Sequence, residues 1–259
     1  MIVRETDDDF LMVTQHDHAR LSGDVAKHFA DHYFVDDTYF SDVLTAIYEH
    51  DRGWIRLDDV PLWNDRSSFP FTFMDYPLVP KLAHYKLGID EVQEMNEYAA
   101  LLCSIHYCSF MTSATADQTD IVRFLELERE RQKQIKHRIA MPTDEVVRRH
   151  FGLLQLCDDI SLYVCLNKPG ATKSEEHPWY AGGFGKSETL VPAGLAKLVA
   201  SWVSQKEIRM GPWPFKGSFM AKLQQKRVSK SLIRQVGLQE AYSETNWTEQ
   251  EIEFIGEQV

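Results

Sequence analysis

His18, His50, Asp51 and Asp158 combine imidazoles with carboxylates, the ligand mixture that divalent transition metals accept. Zn, Mn, Fe and Ni all suit it, and composition chooses neither the metal nor whether one ion or two is bound. Periodicity puts these residues on apolar helix faces. His18 falls in line with Leu21, Val25 and Phe29, and His50 with Val43 and Ile47. A fifth candidate ligand, His106, shares a face with Ala99, Leu102 and Phe110. Asp158 shares one with Phe151, Leu154, Leu162 and Cys165. A single inward histidine is more often a hydrogen-bonded core residue than a ligand. An inward aspartate is harder to explain that way, because a buried carboxylate needs a cation or a donor network. The adjacent pair His50-Asp51 lies about 100° apart on a helix, so both can serve one site only near a face edge or a helix end. Gly53 puts such an end close by. Two alternatives stay open: His16 in place of His18, and Asp159 in place of Asp158. Periodicity favours Asp158, since Asp159 aligns with Gln155 and Tyr163.

Several helices have to present these ligands. The apolar spacing predicts helices from Thr14 onward, from about 38 to 52, 90 to 111, 118 to 139, 144 to 166 and 192 to 204. Short strands are expected at 1–3 and 10–13, and weaker ones at 207–210, 219–223 and 251–255. The aromatic, proline-rich stretch 54–80 reads as an ordered loop over the core. The run LERERQKQIKHR reads as a solvated helix face, and the basic segment KLQQKRVSKSLIRQ likewise as a solvated surface. Trp213, Pro214 and Phe215 are expected to anchor the tail to the core.

Composition narrows the function classes. The chain has 259 residues, 44% of them hydrophobic, and a net charge of -11. It can bury a sizeable core, and no overall basic surface is available for nucleic acid. No run is long enough for a membrane span, and MIVRETDDDF has no signal-peptide character, so the expected compartment is the cytoplasm. The four cysteines form no CxxC pair and read as free thiols. GGFGKS lacks the leading glycine of a phosphate loop, because Tyr180 occupies that position. It reads instead as a turn-rich loop that could cover a site.

The order His…His-Asp…Asp resembles the HD-domain superfamily of metal-dependent phosphohydrolases. The segments QHDHARLSG, AIYEHDRGW, LLCSIHY, LCDDISLYVCL and GPWPF more closely resemble a bacterial domain-of-unknown-function family with a divergent HD-like core. That resemblance implies His18, His50, Asp51 and Asp158 as metal ligands, with His106 as a further ligand or a phosphate-facing residue. The interval from His50-Asp51 to Asp158 is longer than in compact HD domains. The expected fold is mainly α, an HD-like helical bundle (residues 1–204) with a small β appendage (205–259) joined by the N-terminal strands. The expected activity is metal-dependent hydrolysis of a phosphate ester or related small molecule. Asp17 or Asp51 would orient or deprotonate the water, and Arg20 or Arg52 would hold an anion; each Arg is equally suited to a surface ion pair. Two other functions fit the same ligands: an oxygen-dependent di-iron enzyme, and a non-catalytic module braced by a metal or a His/Asp network.

Overall fold

A computed structural model describes residues 1–111, 115, 117–190 and 196–256. Two strands open the chain, β1 (Ile2–Glu5) and β2 (Asp9–Val13), followed by helix α1 (Gln15–Ala26). Helix α2 (Phe40–Glu49) comes next, then a 3-10 turn at Arg52–Trp54 that runs into the short α3 (Ile55–Asp58). A small hairpin, β3 (Trp63–Asn64) and β4 (Phe69–Pro70), leads to the helices α4 (Leu78–Met95), α5 (Glu97–Ser109), α6 (Thr119–Arg138) and α7 (Asp144–Leu166). Last come β5 (Val199–Trp202), β6 (Glu207–Gly211), β7 (Phe219–Ser229), α8 (Lys230–Val236), α9 (Leu238–Glu244) and β8 (Trp247–Gly256).

The expectation of a mainly α, HD-like bundle with a small β appendage is overturned. Both ends of the chain build one six-stranded mixed sheet in the order β1-β2-β7-β8-β6-β5. β2 pairs antiparallel with β7, with Phe10 opposite Val228, and β8 pairs antiparallel with β7 and parallel with β6. The predicted helix at 192–204 is a second correction. Residues 199–202 form an edge strand, where Ala200 and Trp202 turn inward and Val199 outward; residues 192–195 lie outside the described part. The stretch 54–80 is not merely a loop, since it holds α3 and the β3–β4 hairpin.

One large apolar core joins helices and sheet, with Leu21, Ile47, Leu102, Leu154, Ile208 and Phe254 all fully buried. Phe215 closes the junction: it bridges to Phe29 through the backbone and packs edge-on against its ring at 4.6 Å. Among the described residues, no helix is long and apolar enough to cross a membrane. Cys103, Cys157 and Cys165 are buried free thiols, and Cys108 is half-buried and free.

Candidate metal centre

Helix α1 begins at a well-formed cap. Thr14 Oγ1 accepts from the Asp17 amide at 2.9 Å and donates to Asp17 Oδ2 at 2.6 Å. This fixes the helix phase, so that His18 faces inward with Leu21, Ser22 and Val25. Helix α2 stops at Glu49. His50 is still helical, but Asp51 takes φ -111° and ψ 22° before the 3-10 turn. That change of backbone lets consecutive side chains meet at one point, His50 Nε2 lying 3.8 Å from Asp51 Oδ2. The turn is held against α4 by a close approach of backbones. A Cβ on Gly88 would come within 2.3 Å of the Gly53 nitrogen.

The ligand candidates converge in a small volume. His18 Nε2 lies 3.0 Å from Asp158 Oδ1, 3.3 Å from His50 Nε2 and 3.9 Å from Asp51 Oδ2. His50 Nε2 is 3.6 Å from Asp158 Oδ1, and His106 Nε2 is 3.7 Å from Asp158 Oδ2. His18, His50 and Asp51 form one group of convergent ligand atoms; His50, His106 and Asp158 form another. All three histidines are buried. The structure thus brings together the set His18, His50, Asp51, His106 and Asp158.

Outer partners orient the rings. His50 Nδ1–H donates to the Ile47 carbonyl at 2.7 Å, which turns Nε2 toward the cluster. Ser161 Oγ meets His18 Nδ1 at 2.5 Å and lies 3.0 Å from the Asp158 carbonyl, which turns His18 Nε2 toward the cluster. Two imidazole nitrogens 3.3 Å apart, beside two carboxylates, make an electron-rich pocket. Such a pocket is stable only around a proton or a cation. The buried His106 Nδ1 has no hydrogen-bond partner among the described residues.

Protonation follows from these neighbours. Burial favours a neutral His50, but the Asp51 and Asp158 carboxylates outweigh it and raise its pKa to about 9. Burial, reinforced by Asp158, raises Asp51 to about 7. Burial lowers His106 to about 3 and also lowers His18, an effect that Asp158 partly offsets. Asp158 is held well below the usual carboxylate range: burial opposes this, but hydrogen bonds from His18 and His50 prevail. The donor set fits a divalent ion, because exchanging protons for a dication leaves both carboxylates charged and all three imidazoles neutral.

His18, Asp51, His106 and Asp158 form the floor of a cavity of about 410 Å³, with His50 behind them. Asp159 also lines it, where burial and Asp158 raise its pKa to about 7 and Lys186 partly offsets them. Gln15 lines the cavity as well, and its buried Oε1 has no hydrogen-bond partner among the described residues. Periodicity separated Asp158 from Asp159 by face, yet the broad opening between helices admits both. Gln15 and Lys81 carried no local signal of their own beyond residue type, whereas Asp159 stood open as an alternative to Asp158.

The remaining candidates lie elsewhere. Asp17 is engaged in the α1 cap, and Arg20 is an exposed partner of Asp17 at 3.9 Å. Arg52 binds Glu49 at 2.9 Å and Glu91 at 2.7 Å. None of the three lines the cavity floored by the cluster. His16 borders a different surface hollow, near Arg20 and Glu49.

No curated protein and no solved structure matches the chain. The HD-like core therefore has no support from relatives, and the sheet opposes it as a description of the fold. The family described as "Protein of unknown function (DUF3891)" matches residues 1–230, and the chain belongs to that family.

Proposed function

We propose that the protein is a metal-dependent hydrolase acting on a small phosphate ester or related molecule. The observation that carries this reading is that His18, Asp51, His106 and Asp158 line an accessible cavity, so the cluster is not a sealed knot in the core. A bracing site closes its ligand shell, whereas a catalytic one keeps a position open to substrate. His18, His50, Asp51 and Asp158 would hold the ion, with His106 beside them. When bound, it would supply Lewis acidity, lowering the pKa of a water and polarising a phosphoryl oxygen.

The chain's own groups do the rest. Asp159 lines the cavity beside Asp158 and is placed to accept the proton of an attacking water. Gln15 lines the cavity, where the N–H groups of its amide would donate to the head group. Lys81 is the only lysine or arginine among the described residues lining the cavity, and it attracts an anion. One ion suits the ligands better than two. His50 is common to both ligand groups, and with Nδ1 engaged at Ile47 it has a single nitrogen to give.

The test is elemental analysis of the purified protein, followed by a phosphate-ester screen with Mn, Ni, Fe or Zn added. Bound metal and metal-stimulated turnover are expected, with His50→Ala and Asp158→Ala losing most of the metal. Full metal retention in both variants overturns the ligand assignment, and a loaded protein inert toward every phosphate ester overturns the reaction.

A further inference from the structure

The cavity walls differ sharply from its floor. They are built largely from Trp54, Phe73, Tyr85, Met111, Ile121 and Leu162, with Lys81 and Gln118 as polar exceptions. The same lining continues to the surface, where Phe110 is 54% exposed, Met74 54%, Trp179 52% and Leu78 37%. Large apolar side chains left in water normally mark a contact surface. Here they form the mouth of a preformed cavity and are continuous with its interior. Phe110 connects the two regions, with its ring packed edge-on against that of His106 at 4.6 Å. Across the opening, Phe73 and Trp179 make a similar edge contact at 6.4 Å.

A nucleotide or sugar phosphate carries several hydroxyls and ring heteroatoms, and most of these would lose their water against walls with few polar groups. An aryl or alkyl group meets the opposite balance, because its burial is favourable at every point from floor to rim. We infer that the substrate is a phosphate ester of an aromatic or aliphatic alcohol, with its head group on the His/Asp floor and its apolar body along the walls and over the rim. This inference rests on the hydrolase reading for the identity of the head group, and on the walls alone for the body.

Phosphonates separate the two, since their C–P bond is not hydrolysed. Binding of methyl-, phenyl- and octylphosphonate to the full chain is measured by calorimetry, with Mn²⁺ and in the metal-free form. The phenyl and octyl compounds are expected to bind about tenfold or more tightly than the methyl compound. Trp179→Ala and Met74→Ala are expected to shrink that ratio with little effect on methylphosphonate affinity. A ratio near one, a ratio indifferent to both variants, or no binding of any phosphonate overturns the inference. A strong preference that is the same with and without Mn²⁺ upholds the apolar body and removes support for the metal-dependent reading. Mn²⁺-dependent binding without preference does the reverse.

Discussion

At the scale of single residues, a metal at the proposed centre would compete with protons. In the metal-free chain His50, raised to about 9, is protonated at neutral pH, and Asp51, raised to about 7, titrates there. A metal must displace those protons, so its apparent affinity rises with pH up to the His50 pKa. Calorimetry in buffers of different ionisation enthalpy is expected to show proton release on binding at pH 7; proton uptake would contradict the assignment. Stability has a matching sign. The raised folded pKa means that the His50 contribution is complete below its ordinary 6.5 and is lost as pH rises through about 9. Ser161 is the second lever. Ser161→Ala removes the oxygen that orients His18 and is expected to weaken metal binding about tenfold with the fold retained, as read by chelator competition. The sequence could reveal the inward faces of His18, His50 and Asp158, because apolar neighbours at helical spacing mark them. It could not reveal Ser161 as a partner of His18, since that contact joins residues 143 positions apart.

At the scale of elements, the ligands depend on how closely helices and turns approach. Gly88 faces Gly53 with no room for a methyl group, and Asp51 sits just before that turn. Gly88→Ala is expected to cost about 1–3 kcal/mol in urea unfolding, because backbone cannot yield as a flexible side chain does. It should also weaken metal binding, and an unchanged stability would mean that the turn adapts freely. Capped, periodic helices were the legible elements. α7 follows Thr143, whose side chain accepts from the Val146 amide, and it runs over the expected residues. The break between α4 and α5 was missed. Asn96 leaves helical geometry at φ -159° and caps α5 through Ala99, in a stretch with no proline or glycine to announce it. Charge misled in two places. Glu128 is buried, accepting from Ser104 and Arg131, though its neighbours read as a solvated face. Lys226 lies buried on β7, donating to the Tyr242 carbonyl and sitting over the Tyr242 and Trp247 rings. That placement hides a strand inside a basic run.

At the scale of the whole molecule, the sheet and the ligand helices are one structure, which local pattern could not show because β2 finds β7 more than 200 residues away. β2 runs through the capping Thr14 into α1, so the sheet sets where His18 stands. Phe254 tests the coupling. It is fully buried on β8, stacked on Phe219 at 4.9 Å, and belongs to the core that also holds Leu21 and Leu154. Phe254→Ala is expected to cost about 3–5 kcal/mol through the cavity it leaves. An ion that binds only the folded chain returns about 2.7 kcal/mol when present at about a hundred times its Kd. Added metal should therefore recover part of the lost stability, although it binds on the helices and the lesion lies in the sheet. Thermal melts of both proteins, with and without the ion, decide the point. A single transition that metal shifts upward in each is the expected result. Two transitions, with metal moving only one and Phe254→Ala only the other, would show that the strands fold apart from the helices and that sheet packing does not support the metal centre.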